Sequence, residues 1–234
     1  MSISPKSISS SYMTSDHISV QSSSLTFLFA LIEFWIMKIF LVRHGETDYG
    51  KKHITTGHID IPLNETGKKE AQATANFLKG RNIVKIFSSS LSRASETAKI
   101  IASELNLPIV EYDELMEHTS GKLDGVPLKV FFDKLKSVGD FEKMVLQAGG
   151  EPWNVFSERV WNKFLDIAKE NKDEGDIVVV THGGVTRTII SEIFGSPFLK
   201  ALSQGNCCIN VINFDKEKEA MFRVELVNYT YHIN

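Results

Sequence analysis

The sequence predicts an α/β protein, a three-layer α/β/α sandwich around a mostly parallel central sheet, from three observations. The segments 38–43, 83–87 and 176–184 are apolar and β-rich without strict alternation, as strands covered on both faces are. Stretches of helical periodicity separate them, and strand–helix alternation builds parallel sheets with helices on both faces. The length of 234 residues and the apolar share of 42% suit one sizeable core.

"MKIFLV", from Met37, opens the first strand. A Gly- and His-bearing loop follows to about Glu65. Thr66 reads as the N-cap of a helix to about Lys79, with Ala71, Ala75 and Leu78 at helical spacing. "IVKIF", 83–87, is a short strand, and Leu91, Ala94, Ala98, Ile101 and Leu105 mark an amphipathic helix after it. "LPIVEY" reads as a further short strand. Residues 113–125 are irregular, and a mostly helical stretch over 126–156 reads as a cap region. Val160, Phe164, Ile167 and Ala168 line one face of a helix that stops before Gly175. "DIVVVTHGG" is the most hydrophobic strand, "VTRTIISEIFG" is helical, and 207–229 alternates enough for two strands.

The first 36 residues differ from the rest and read as an extension outside the 37–234 domain. Residues 1–24 hold eleven serines and little charge, the composition of a disordered segment. "LTFLFALIEFWI", 25–36, is apolar but too short to span a bilayer and is interrupted by Glu33. It lacks the basic flank and small-residue site of a signal peptide, Lys6 being the one upstream lysine. Met37 is the favoured functional start, with an interfacial anchor at 25–36 as the alternative. The net charge of −3, with both signs interspersed, gives no sign of a nucleic-acid groove or a polybasic membrane patch. The two cysteines, Cys207 and Cys208, are adjacent, which disfavours a bridge and points to a reducing, cytoplasmic setting.

Polar chemistry appears wherever one of the three strands ends: Arg43-His44-Gly45, then Ser88-Ser89-Ser90 with Arg93, then Thr181-His182-Gly183-Gly184. Ligands of open α/β sheets bind outside the carboxyl ends of strands. If the three strands are parallel neighbours, Arg43, His44, Arg93 and His182 converge. Two helix starts would flank them, and Gly183 and Gly184 would let an anion approach the backbone. Such a pocket suits a phosphoryl group, whose transfer needs positive charge on three oxygens and an in-line nucleophile. One neutral imidazole would attack phosphorus and the other would clamp it. A lone histidine or arginine at a strand end is most often a capping or solvated residue. The joint placement is what argues for a site.

"LVRHGET", "TGHIDIPLNETGKKEA", "SSSLSRASETA" and "VVVTHGGVTR", in this order, resemble the motifs of the histidine phosphatase superfamily, which includes cofactor-dependent phosphoglycerate mutases. The resemblance covers 37–234 and implies a phosphoglycerate mutase-like fold. It implies His44 as the nucleophile that becomes phosphohistidine, with Arg43, Arg93 and His182 as the phosphate cradle. "LMEHTSGKLDG" is similar to the family's acid motif, which makes Glu117 the acid that protonates the leaving oxygen; Glu111 and Glu114 are the solvated competitors. Thr47, Thr56 and Gly57 match positions lining phosphate or substrate. No metal and no cofactor are implied, and His53 and His58 read as loop residues.

The family's mutases carry Trp-Asn where this chain has Tyr49-Gly50, Gly-Asn where it has Gly183-Gly184, and a longer acid motif than "DGVPLK". Each departure removes a polar contact that would retain a phosphorylated sugar acid. The expected function is therefore hydrolysis of a small phosphorylated metabolite, with mutase activity as the alternative. A non-catalytic phosphate-binding module and a membrane-associated interaction protein complete the set of alternatives. The aromatic residues Phe131, Phe132, Trp153 and Phe156 read as cap core rather than as a substrate platform.

Overall fold

In the computed structural model, which describes residues 36–196, 202–218 and 221–233, six strands form a single sheet. They are β1 (Ile36–Arg43), β2 (Ile83–Ser89), β3 (Ile109–Tyr112), β4 (Asp176–Thr181), β5 (Ile209–Asp215) and β6 (Phe222–Tyr229), in the order β3-β2-β4-β1-β5-β6. The pairs β3–β2, β2–β4 and β4–β1 are parallel, and β5 and β6 complete the sheet antiparallel. Residues 1–35, which hold nearly all of the extension read from the sequence, lie outside the described residues.

Helices occupy both faces: α1 (Asp48–Lys51), α2 (Glu65–Leu78), α3 (Ser92–Leu105), α4 (Leu128–Val138), α5 (Phe141–Gln147), α6 (Trp153–Glu170) and α7 (Gly183–Phe194). The strand pleat sorts the core into two layers. Ile39, Leu41, Ile177 and Val179 pack with Phe156, Val160 and Phe164 of α6 and Val185 and Ile189 of α7. Phe40, Val42, Val178 and Val180 pack with Ala75 and Leu78 of α2 and Ala94, Ala98 and Ile101 of α3 on the other face. Burial on both faces is why these strands show no alternation. A third, smaller cluster of Phe131, Met144 and Val145 holds α4 and α5 together. Of the aromatic residues expected in the cap core, Phe131 and Phe156 are buried, whereas Phe132 and Trp153 are 58% and 43% exposed.

Three boundaries differ from expectation. The N-cap of α2 is Asn64, not Thr66: its side chain accepts the Gly67 N–H at 2.9 Å, and the helix starts at Glu65. The strand read over 176–184 stops at Thr181, because Gly183 and Gly184 already form the first turn of α7. The loop after β1 contains α1, with Thr47 as its N-cap, accepting the Gly50 N–H at 3.1 Å.

That loop rests backbone to backbone on the first turn of α2. A Cβ on Gly67 would stand 2.2 Å from the Glu46 carbonyl oxygen, and one on Gly45 would stand 2.5 Å from the Gly67 carbonyl oxygen. Alanine at Gly67 is therefore expected to destabilise the protein by about 1–3 kcal/mol through overpacking. It should also displace the segment carrying His44. Urea unfolding checks this; an unchanged midpoint would show that the loop yields without cost.

Candidate active site

Sheet register brings the predicted residues together. Arg43 of β1 lies opposite Thr181 of β4, so His44 and His182 leave the sheet side by side, with ring centroids 5.3 Å apart. Ser88 of β2 lies opposite Val180, which sets Ser89 beside His182; His182 Nε2 and Ser89 Oγ are 2.8 Å apart. The three strands are neighbours and parallel, as convergence of their ends requires.

A cavity of about 110 Å³ opens there, lined by Arg43, His44, Thr47, Gly50, Thr56, Gly57, Arg93, Glu117 and Asn206. It is several times larger than one ordered water needs. His44 is 8% exposed and reaches the cavity, whereas His182 is fully buried and sits behind it. Gly183 is likewise not among the lining residues. Asn206 was not anticipated; it lies just before β5, in a stretch without motif character.

The protonation of His44 follows from its contacts. Nδ1 is 2.8 Å from the Gly45 carbonyl oxygen, and a carbonyl can only accept, so Nδ1 carries the hydrogen. In the neutral ring Nε2 then has a free lone pair. Burial, followed by the like charges of Arg43 and Arg93, holds this imidazole well below its ordinary value of 6.5, against a smaller opposing effect of the Gly45 carbonyl. Burial, followed by the charges of Arg93 and Arg43, lowers His182 in the same way. Both rings are neutral where an attacking nitrogen must be.

The two guanidiniums are nearly enclosed, and each is held by backbone carbonyls. Arg43 Nη1 donates to Gln204 O at 2.5 Å; Arg93 Nη1 and Nη2 donate to Ile59 O at 3.1 Å and Gly57 O at 2.8 Å. Among the described residues neither forms an ion pair with a carboxylate. The Nε of each is buried without a partner. Burial lowers Arg43 and brings Arg93 down to about 10, so both remain charged at neutral pH. Two guanidiniums facing one cavity favour an anionic group there.

Both flanking helix starts are already taken. The Asp60 carboxylate accepts the Ser92 N–H and its hydroxyl, each at 2.7 Å, at the start of α3. The Glu117 carboxylate accepts the Gly184 N–H at 2.9 Å at the start of α7, and the His118 N–H at 2.9 Å. A Cβ on Gly184 would stand 2.1 Å from Glu117 Oε1, so glycine here admits the carboxylate. The space at Gly184, expected to admit an anionic ligand, is filled by the Glu117 side chain. Glu111 and Glu114 lie off the cavity wall, Glu111 accepting from Ser95 Oγ at 2.6 Å. His53 is also off the wall, and His58 Nε2 donates to the Glu117 carbonyl oxygen at 2.7 Å. Among the described residues no group of three His, Cys, Asp or Glu side chains could hold a metal, and no helix is long and apolar enough to cross a membrane.

The family model of the histidine phosphatase superfamily (branch 1) matches residues 39–229, and the chain belongs to that superfamily. It is accordingly a phosphoric monoester hydrolase. Among its relatives, the "Uncharacterized phosphatase PhoE" of Bacillus subtilis is 32% identical over 197 residues, covering 83% of this chain and 95% of that protein. The "Metal-independent phosphoserine phosphatase" of Arabidopsis thaliana is 34% identical over 200 residues, 80% of each chain. The fold also matches a phosphoglycerate mutase structure from Bacillus anthracis at a TM-score of 0.76, with 23% identity over 86% of this chain and 97% of that one.

The lowered histidines make stability depend on pH. In the unfolded chain each titrates near 6.5, while in the folded protein each resists protonation. Their contribution is fully present above about 6.5 and is lost as pH falls from there toward the lowered folded values. Thermal unfolding should show a declining Tm over that window, reduced in His44→Gln. A Tm that rises on acidification through pH 6 would contradict the neutral assignment.

Proposed function

We propose that the chain hydrolyses phosphomonoesters of small metabolites through a phosphohistidine on His44. One observation carries this reading: the His44 imidazole, its Nδ1 bound to a carbonyl, lines a cavity walled by half-buried Arg43 and buried Arg93, neither in an ion pair among the described residues. In the first step Nε2 attacks phosphorus, the P–N bond forms and the P–O bond to the leaving alcohol breaks. Arg43 and Arg93 take up the charge spread over the phosphoryl oxygens, with Thr47, Thr56 and Gly57 completing the wall. The Thr47 hydroxyl oxygen accepts from Gly50, which leaves its O–H to donate. His182 backs His44 from behind the cavity rather than joining the cradle, and Gly183 starts the helix next to it. Glu117, protonated once the dianionic phosphate enters beside it, gives that proton to the leaving oxygen, then takes one from the water that breaks the P–N bond.

Phosphoserine leads the substrate series, because a relative covering 80% of the chain is named a phosphoserine phosphatase. Residues 126–156 form the proposed cap. The Val126 carbonyl accepts the N–H of Thr55 at 2.9 Å and its hydroxyl at 3.0 Å, which ties this segment to the cavity wall at Thr56. A cytoplasmic location is proposed on Cys207 and Cys208, two buried free thiols.

The purified protein should release phosphate from phosphoserine with undiminished kcat after EDTA treatment, because guanidiniums supply the charge that a metal would. Hydrolysis should exceed interconversion of 2- and 3-phosphoglycerate, since Tyr49-Gly50 and Gly183-Gly184 lack the side chains that would retain the intermediate. Activity lost with EDTA and restored by a divalent ion, or interconversion with little phosphate release, would overturn this reading.

A further inference from the structure

We infer that Arg159, in the second turn of α6, is a positioning residue for the acid Glu117. The inference rests on the acid role proposed above and names the element that makes it possible. Residues 113–120 carry Glu117 without a strand or α-helix; a short 3₁₀ turn at Asp113–Leu115 is their only regular structure. Their backbone must therefore be fixed by other means.

Side chains supply what regular structure does not. Arg159 Nη1 donates to Glu114 O at 2.8 Å and to Met116 O at 2.9 Å, and Nη2 donates to Glu117 O at 3.2 Å. Thr181 Oγ1 donates to the intervening Leu115 O at 2.9 Å. Four successive carbonyls, 114 to 117, thus accept from side chains, and Arg159 serves three of them. Its remaining donors make a bidentate pair with Glu151, Nε to Oε1 at 2.7 Å and Nη2 to Oε2 at 2.9 Å. Glu151 in turn gives its N–H to Thr119 O at 2.9 Å, and its carbonyl accepts from His118 Nε2 at 2.8 Å. The Phe156 ring lies under the guanidinium, 5.0 Å from its carbon.

The pair therefore grips the acid segment on both sides of Glu117. The Glu117 carbonyl is held by Arg159 and His58, and its carboxylate by the N–H groups of Gly184 and His118. The guanidinium is matched by Glu151, so Arg159 acts through geometry rather than as a third cradle cation. A planar five-donor fork can serve a carboxylate and three carbonyls at once; an ammonium with three donors cannot.

The test uses kcat/KM for a poor leaving group (phosphoserine) and a good one (p-nitrophenyl phosphate), which needs little protonation. The full chain is compared with Arg159→Lys, Arg159→Met, Glu117→Gln and the double variants. Lysine retains a charge for Glu151 and protects the fold if methionine does not. Arg159→Lys should lose about 10²-fold on phosphoserine, the scale of a misplaced catalytic group. It should lose only a few-fold on p-nitrophenyl phosphate and almost nothing further in the Glu117→Gln background. Equal losses on both substrates, no loss on either, or losses that multiply with Glu117→Gln would reduce Arg159 to a fold support and overturn the inference. If Glu117→Gln itself loses equally on both substrates, the acid role fails first and the positioning role falls with it.

Discussion

Two largely enclosed guanidiniums, with no carboxylate partner among the described residues, are the constraint on which the rest of this structure depends. Removing a cation from water is expensive unless other groups replace its hydration. Here carbonyls of Gln204, Ile59 and Gly57 do part of that, and each Nε remains unpartnered. The remaining deficit has two effects. It favours an anion in the cavity, and it adds to the larger effect of burial in suppressing protonation of His44 and His182, which keeps a lone pair on His44 Nε2.

The sheet makes this arrangement possible. Central parallel strands covered on both faces are rigid, and their register sets His44, His182 and Ser89 in one row. Helix starts next to the row would compete for the incoming phosphate, but carboxylates already occupy them. Asp60 closes α3, and Glu117 closes α7. The second of these contacts anchors the acid at the edge of the cavity. The dipole of α7 therefore serves to hold a carboxylate rather than to bind substrate directly.

Strand ends were legible in the sequence because unalternating apolar runs stop abruptly at charged residues. Arg43, His44 and Arg93, read at or after those ends, line the cavity, as does Glu117, which only the family resemblance singled out. Residues whose role depends on partners distant in the chain were not legible. Arg159 looks like an ordinary helix arginine until its carbonyl acceptors, 42 to 45 residues earlier, are seen. Asn206 has no pattern around it, and Asn64 took the cap from Thr66 because Asx side chains two residues apart from a threonine offer an equivalent acceptor. Gly184 was read as room for an anionic ligand; the space exists, but the Glu117 side chain fills it.

The central claim is that an electrostatically neutralised His44, hydrogen-bonded through Nδ1, attacks with Nε2. Trapping with a ³²P-labelled substrate in an alkaline denaturing quench, followed by ³¹P and ¹⁵N NMR of the isolated phosphopeptide, tests it most directly. The account predicts an acid-labile, base-stable label on Nε2 of His44, absent from His44→Ala. Label on another residue, on Nδ1, or persisting in His44→Ala would contradict it.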